Sequence, residues 1–360
     1  MSQMTQSGHR PAYRVEPPNP VPAPIEASAE AAMITFMITL ASMRRRQFLG
    51  LVTGGAIWPI AAKAQTVMRR IGVLVLGNPN PELFLKELRD GLRELGYLEN
   101  RDIQLQVRSA GGNAGALADA AADLARLKVD IIVAWQTPAA TAAKRATAEI
   151  PIVMTAGDPV GTGLVASLSR PGGNVTGVDS FGAQLGGKCV ELIREALPSA
   201  QRVAILANAA DPFTKSFLAE IDKVAGSIGV ATQPLVRHPD DEFETAFAEM
   251  RNGAADALII QPTLLRASSI ELALRNKLAS FSIVRGLPEA GGLMAYTQDA
   301  AEQTRALAGY VDKILKGGKP AEMPVSQPTK FELIINLKTA RALNLHIPPT
   351  LLARAHEVIE

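Results

Sequence analysis

Five predicted strands end in a polar residue followed by proline, and these pairs are the positions best suited to bind a ligand. They are Asn78-Pro79, Thr137-Pro138, Asp158-Pro159, Asp211-Pro212 and Gln261-Pro262. A polar N-cap with proline at the first helical position fixes the start of a helix and leaves the next amides free. Ligands of open α/β sheets bind at the carboxyl ends of the strands, where helix N-termini favour anions such as carboxylates. Each pair alone could be an ordinary cap, so it is the repetition that predicts a ligand cleft.

Aromatic and acidic side chains near these strand ends could complete a small-molecule site. Trp135 directly precedes Gln136 and Thr137 at the end of one strand. It could form the floor of a pocket, although it could also be a core residue. Binding pockets typically combine aromatic walls with a few placed polar groups. Asp158 and Asp211 could accept hydrogen bonds from a ligand ammonium, or they could act only as caps.

The sequence has no local signature of catalysis or of cofactor binding. No G-x-G-x-x-G follows the first predicted strand, and no G-x-x-x-x-G-K-[ST] is present. The four histidines are not spaced like the ligands of a metal site, and Cys189 is the only cysteine. A catalytic triad could still assemble in space, because sequence order does not constrain one. We expect a binding protein rather than an enzyme, with no cofactor and no metal.

The elements that position these residues alternate between apolar strands and amphipathic helices from Arg70 onward. This alternation predicts βαβ units with parallel sheets. It occurs twice, once up to about Asp179 and again from Arg202. The predicted fold class is therefore α/β, with two Rossmann-like lobes. The predicted elements include a short helix at residues 164–169 and a helix at residues 268–279.

The N-terminal 64 residues are predicted to be an export signal with an extension before it. Residues 1–42 are rich in proline and alanine, and we expect them to be disordered or to precede the true start. Residues 43–64 combine an arginine cluster, a short apolar run and Ala62-Lys63-Ala64, which is typical of a signal peptide. Arg45-Arg46 followed by Phe48-Leu49 fits the twin-arginine type. No cysteine follows Ala64, so we expect an unlipidated periplasmic protein.

The near-zero net charge of the chain argues against a protein dedicated to binding nucleic acid. The 360 residues include 37 basic and 35 acidic side chains, a net charge of +2. Residues 1–64 hold six basic and three acidic residues, so removing them leaves 31 against 32 and a net charge of −1. Nucleic-acid-binding domains usually carry a basic surplus or stripe. We expect no nucleic-acid partner and a monomer.

Several stretches are similar to one known family. They are GDPV at 157–160, LVASLSRPGGNVTG at 164–177, EAGGLMAY at 289–296, QPTKFELIINLKTA at 327–340 and IPPTLLARA at 347–355. From about Arg69 to Glu360 the chain resembles the substrate-binding proteins of ABC transporters that have the periplasmic binding protein type I fold. Within these it is similar to the branch of tryptophan and hydrophobic amino-acid binders.

This resemblance implies two lobes joined by a three-strand hinge. The chain would cross between lobes at residues 178–181, 295–298 and 323–325. Lobe 1 would comprise residues 65–178 plus 299–322, and lobe 2 residues 179–298 plus 323–360.

The resemblance also implies which residues bind the ligand. The family's ligand loops fall on the strand ends described above, with Tyr296 at a crossing. Phe181 also lies at a predicted crossing, where its ring could add to the wall of the site. The predicted ligand-binding residues are therefore Asn78, Trp135, Gln136, Thr137, Gly157, Asp158, Phe181, Asp211, Gln261, Thr263 and Tyr296. Relatives that bind amino acids tend to have aspartate where this chain has Leu264, and small residues where it has Trp135. These departures favour a less polar ligand such as an aromatic carboxylate over an α-amino acid.

The sequence therefore predicts a periplasmic solute receptor that delivers a small organic solute to an inner-membrane ABC permease. The solute would be an amino acid or an aromatic or aliphatic carboxylate, captured by hinge closure. Two alternatives stay open at this point. One is a sensor that signals to a membrane histidine kinase, and the other is an enzyme on a similar α/β scaffold.

Overall fold

The computed structural model describes residues 68–77 and 81–360. The predicted extension, signal peptide and twin-arginine motif, which occupy residues 1–64, lie outside the described residues. So does Asn78, one of the predicted ligand-binding residues.

The first sheet is built from five strands in the N-terminal half of the chain. They are β1 (Arg69–Val75), β2 (Ile103–Ser109), β3 (Ile131–Trp135), β4 (Ile152–Ala156) and β5 (Val175–Asp179). Their order in the sheet is β2-β1-β3-β4-β5, and all neighbours are parallel. The central strands are continuous apolar runs because helices cover both faces of the sheet.

The second sheet contains the other seven described strands. They are β6 (Arg202–Asn208), β7 (Ala231–Arg237), β8 (Ala257–Ile260), β9 (Ala279–Ser282), β10 (Met294–Gln298), β11 (Phe331–Asn336) and β12 (Glu357–Ile359). Their order is β12-β11-β10-β9-β8-β6-β7. The β10–β11 pair is antiparallel, and the other pairs are parallel.

Eleven described helices cover the two sheets. They are α1 (Pro81–Glu94), α2 (Leu117–Arg126), α3 (Thr137–Ala146), α4 (Gly182–Ala196), α5 (Thr214–Ser227), α6 (Glu244–Asn252), α7 (Ala267–Arg275), α8 (Gly286–Glu289), α9 (Ala300–Leu315), α10 (Leu337–Ala342) and α11 (Pro349–Leu352). The predicted α/β class with two Rossmann-like lobes is thereby confirmed.

Helix α9 follows a strand of the second sheet but packs on the first. Leu307 and Val311 are fully buried in the same apolar cluster as Ile71. The Tyr97 hydroxyl, just after α1, donates a 2.8 Å hydrogen bond to Asp312 Oδ1. The chain therefore returns to the first lobe between β10 and β11.

The segments that join the lobes lie side by side. Asp179 N donates to Ser326 O at 2.9 Å, and Ser326 N donates to Gly177 O at 2.9 Å. Thr176 Oγ1 donates to Met323 O at 2.7 Å. These bonds hold the segment after α9 against the end of β5.

Two predicted helices differ from the structure. Residues 164–169 form bends rather than a helix, because their backbone groups bond to partners outside the segment. Leu164 N donates to Pro159 O, and Leu168 O accepts from Val325 N. The helix predicted to reach residue 279 ends at Arg275, where a turn through Lys277, with φ +56°, leads directly into β9.

Within the described ranges, no helix is both long enough and apolar enough to cross a membrane.

Candidate ligand-binding cleft

A cavity of about 150 Å³ lies between the two lobes. Residues that follow β3 and β4 form one wall, and residues that follow β6, β8 and β9 form the other. Cavities of about this volume can bind a benzene ring. The position agrees with the rule that parallel sheets bind ligands at the carboxyl ends of their strands.

A stacked aromatic pair forms the apolar part of the first-lobe wall. The rings of Trp135 and Phe84 lie 4.7 Å apart with an interplanar angle of 2°. Both residues line the cavity, together with Leu83. Phe84 is buried among the residues of the first-lobe core, so its ring holds Trp135 in place. The wall thus presents a rigid, flat aromatic surface.

Polar groups of the same wall come from Gln136 and Thr137, at the start of α3. The buried Thr137 Oγ1 accepts a 3.0 Å hydrogen bond from Gly157 N, and within the described residues nothing accepts its O–H proton. Gln136 Oε1 is buried and has no hydrogen-bond partner in the described part of the chain. The first amides of a helix also lack intrahelical acceptors. This corner can therefore both donate hydrogen bonds to a ligand and accept them.

The backbone of Gln136 is strained. Its φ of +77° and ψ of +157° lie in a region that is nearly exclusive to glycine. Such a conformation costs about 1–3 kcal/mol and persists only where surrounding structure enforces it, often at binding sites. Here it directs the chain from β3 into α3 at the edge of the cavity.

We predict opposite effects of Gln136→Gly on stability and on binding. Glycine relieves the strain, partly offset by about 0.5–1 kcal/mol of backbone entropy, so the unliganded protein should melt about 2 °C higher. Ligand affinity should fall, because the Gln136 side chain is removed from the cavity. Lys128→Gly is the matched control, since Lys128 has φ +49° but does not line the cavity. Thermal melts and calorimetry would check both effects, and unchanged affinity would contradict a ligand contact.

Asp211 is the buried acidic group of the second-lobe wall, and it is 6% exposed. Oδ1 accepts from Phe213 N at 3.0 Å, and Oδ2 accepts from Gln261 Nε2 at 3.0 Å and Thr263 Oγ1 at 3.3 Å. Burial raises the pKa of this carboxyl to about 6, against the lowering effect of these bonds. None of the described salt bridges includes Asp211. A ligand cation would supply the missing countercharge.

The charged lining residues are mostly acidic. Asp211, Glu87 and Glu289 line the cavity with one described basic residue, Arg285. Arg285 is already paired with Glu289 at 3.5 Å, Glu332 at 2.9 Å and Glu357. Burial acts to lower the pKa of Arg285, but its hydrogen bonds to Glu357 and Glu332 outweigh that effect and raise the pKa. Its charge is therefore compensated by the protein rather than available to an anionic ligand.

The structure brings together six of the predicted ligand-binding residues. Trp135, Gln136, Thr137, Gly157, Asp211 and Thr263 line the cavity. Gln261 lies behind the cavity wall and is fully buried. Its Oε1 accepts from Asn208 N at 2.8 Å while its Nε2 bonds to Asp211. Gln261 therefore orients the Asp211 carboxylate.

Phe181 and Tyr296 lie away from the cavity lining. Both pack on Phe331, with ring centroids 6.3 Å and 5.9 Å away. They belong to the apolar surroundings of the second-lobe core. Phe181 precedes α4 with φ +53°, and its amide donates to Asp179 Oδ1 at 3.1 Å.

Asp158 joins the lobes without lining the cavity. Its Oδ2 accepts a hydrogen bond from Ser216 Oγ on α5, and its Oδ1 accepts from Gly161 N at 2.9 Å. The first of these bonds crosses from one lobe to the other. It can form only when the lobes are close together.

We predict that Ser216→Ala weakens ligand binding about threefold to tenfold. Loss of a partly exposed hydrogen bond costs about 0.5–1.5 kcal/mol, and here the loss falls on the closed state alone. Ser227→Ala is the matched control, since its hydroxyl bonds within α5 to Val224 O at 2.7 Å. Calorimetry on both variants would check this, and equal affinities would show that the bond does not contribute to closure.

Sequence reasoning missed several lining residues, notably Phe84, Arg285 and Gln298. Phe84 and Glu87 are three residues apart on α1 and share a face, but which way that face points depends on packing. Gln298 is the last residue of β10, inside the predicted crossing at residues 295–298. The position of a polar residue at the end of that strand could have identified it by the same rule as the other strand ends.

Comparison with known proteins identifies the family. The model of the family "ABC transporter substrate binding protein" matches residues 71–359. The chain belongs to this family. Substrate-binding proteins of ABC transporters are extracytoplasmic, bind small-molecule solutes and deliver them to permeases. The chain also has the type I periplasmic binding protein fold.

Individual relatives give a finer comparison. A tyrosine-binding protein of Clostridioides difficile is 27% identical over 283 residues, covering 77% of this chain and 81% of the relative. A structure in complex with L-Trp from Streptococcus pneumoniae is 27% identical, with a TM-score of 0.74, and covers 81% of this chain and all of the other.

The overall structure is more similar to the L-Trp complex than to one ligand-free relative. A ligand-free, open substrate-binding protein from Clostridium difficile is 25% identical, covering 81% of this chain and 99% of the other. Its TM-score is only 0.59, although its identity and coverage match those of the L-Trp complex. A lower TM-score at similar sequence identity is expected when two proteins have similar lobes set at different angles.

Proposed function

We propose that this substrate-binding protein is a periplasmic receptor for an aromatic amino acid. The observation that carries the proposal is the lining of the cavity, where a flat aromatic wall lies beside a buried carboxylate that has no cation. Hinge closure would capture the ligand, because its contacts with both lobes stabilise the closed form over the open one.

Each part of an amino acid has a chemically matched partner. Asp211 would bind the ammonium, because that carboxylate lies in the cavity without a salt bridge in the described residues. The amide and hydroxyl of Thr137, at the start of α3, would bind the carboxylate, as helix N-termini favour anions. The stacked rings of Trp135 and Phe84 would pack on the aromatic side chain. Two relatives support an aromatic amino acid as the ligand. One was solved in complex with L-Trp, and the other is a tyrosine-binding protein.

A carboxylate without an ammonium fits the cavity less well. Its described charged residues sum to a net charge of −2, and Arg285 is already paired. Leu264, which replaces an aspartate of amino-acid-binding relatives, is fully buried in the second-lobe core and does not line the cavity. Its replacement therefore removes no charge from the site, and Asp211 can serve instead.

The remaining parts of the proposal concern export and assembly. We propose export by the twin-arginine route, on the basis of Arg45-Arg46, and an unlipidated monomer that binds no nucleic acid. The lobes would comprise residues 65–178 plus 299–322 and residues 179–298 plus 323–360. The packing of α9 on the first sheet and the place of β11 and β12 in the second support this division.

Calorimetry with fluorescence tests the proposal. The chain from residue 65 onward would be titrated with L-tryptophan, L-tyrosine, L-phenylalanine, benzoate and indole-3-acetate. Trp135 is the only tryptophan in it, since the other is Trp58, so L-tyrosine in the cleft should change its emission. We expect the amino acids to bind and the simple acids to bind weakly. Binding of benzoate alone, or turnover of any ligand, would contradict the proposal.

A further inference from the structure

We propose that the end of the cavity beside Gln298 and Glu87 selects ligands whose aromatic ring carries a hydrogen-bond donor, such as a phenol O–H or an indole N–H. This inference rests on the proposed function, in which Asp211 binds the ammonium. It narrows the ligand class from aromatic amino acids in general to those with a donor on the ring.

Gln298 provides the main evidence. Its Oε1 is fully buried and has no hydrogen-bond partner in the described structure, and the residue lines the cavity. A buried carbonyl oxygen without a donor is unfavourable, so such atoms are rare and usually have a partner that binds there. The neighbouring lining residues Thr297 and Gln303 are also polar. The unsatisfied oxygen therefore marks a place for a ligand donor.

Glu87 is a second acceptor at the same end. Glu87 lines the cavity, and among the described residues its carboxyl forms no hydrogen bond or ion pair. Burial is the main cause that raises its pKa, and the charges of Lys86, Asp299 and Arg285 act on it from a distance. Its proximity to Asp299 places it near Gln298, the preceding residue. Two residues that carry acceptor oxygens thus line this end of the cavity, where apolar groups line much of the rest.

The distance from Asp211 separates this end from the proposed ammonium site. Gln298 ends β10 and Asp211 follows β6, and in the sheet these strands are separated by β9 and β8. Three strand spacings amount to roughly 14 Å, so one small group cannot bind both residues. An aromatic amino acid is roughly 7 Å long by its bond lengths, and a hydrogen bond of about 3 Å at each end completes the span.

Matched ligand pairs test the inference on the chain from residue 65 onward. L-tyrosine would be compared with O-methyl-L-tyrosine and L-phenylalanine, and L-tryptophan with 1-methyl-L-tryptophan, by calorimetry at pH 7. We expect the donor-bearing member of at least one pair to bind at least fivefold more tightly. In Gln298→Leu this preference should disappear while L-phenylalanine still binds.

Gln233→Leu is the matched control, because Gln233 Oε1 is also buried and without a partner but lies outside the cavity. It should keep the preference. Equal affinities within both pairs, or a preference that survives in Gln298→Leu, would overturn this inference and leave the proposed function intact. If no aromatic amino acid binds at all, the proposed function fails and this inference fails with it.

Discussion

Asp211→Asn is expected to bind an aromatic amino acid at least about 30-fold more weakly than the unaltered chain at pH 7. Removal of one partner from a buried, hydrogen-bonded charge pair costs about 2–5 kcal/mol. Asparagine retains the shape of the side chain but loses the charge that would pair with the ammonium. Its NH2 group also replaces one of the two oxygens that accept from Phe213 N and from Gln261 and Thr263. Asp222→Asn is the control, since Asp222 is an exposed residue of α5. Calorimetry decides the matter, and near-equal affinity in Asp211→Asn would exclude Asp211 as the ammonium site.

The pH dependence of binding provides a second readout of Asp211. Burial raises its pKa to about 6, and a protonated carboxyl cannot pair with an ammonium. Affinity should therefore fall about tenfold per pH unit below pH 6 and level off above it, whereas Asp211→Asn should remain weak throughout.

Stability of the unliganded protein should change with pH in the opposite direction to affinity. Because the folded protein holds the Asp211 proton more tightly than the unfolded chain does, the contribution of this group is greatest below about pH 4. It is lost as the pH rises through about 6. The difference in melting temperature between the unaltered chain and Asp211→Asn should follow this course. A constant difference across pH 4–7 would contradict it.

Gly157→Ala is expected to prevent full closure of the lobes and to weaken ligand binding about fivefold to 100-fold. A Cβ at position 157 would lie 2.6–2.9 Å from three ring carbons of Phe213 in the other lobe. The ring cannot easily move away, because it also lies against Gly182. Overpacking of this kind costs about 1–3 kcal/mol, and here opening of the lobes would relieve it. The melting temperature of the unliganded protein should therefore change little.

Gly173→Ala is the matched control for this substitution. Gly173 also belongs to the first lobe, and a Cβ there would have no neighbour within 4 Å. Calorimetry gives the affinities, and small-angle X-ray scattering with saturating L-tryptophan gives the radius of gyration. We expect the Gly157→Ala variant to remain expanded in the presence of ligand, whereas the unaltered protein and Gly173→Ala should become more compact. Closure to the dimensions of the unaltered protein would show that the Phe213 ring adapts.

Local sequence patterns were sufficient to place much of the cleft. Apolar strands alternating with amphipathic helices fix the fold class, because each pattern has its own period. The carboxyl ends of parallel strands then meet at one edge, so Thr137 and Asp211 could be assigned to the cleft from their positions after strands. Thr263 follows by the same rule.

The remaining contacts depend on how the lobes meet. Phe84 faces Trp135 because α1 packs in one orientation on its sheet, which no spacing in the sequence reveals. Phe181 and Tyr296 do lie near the segments that join the lobes, but packing on Phe331 directs their rings into the second lobe. The pairing of Asp158 with Ser216 likewise arises only when the lobes are close together.

The return of α9 to the first sheet has a consequence for the order of folding during synthesis. The apolar surface over β1, β3 and β5 is completed by Leu307, Ala308 and Val311, which are made more than 100 residues after β5. A nascent chain that ends before α9 would therefore expose this surface, and the first lobe cannot finish folding until most of the second has been synthesised. Such late, long-range contacts slow folding, so a fragment ending at residue 298 should aggregate rather than form a stable lobe.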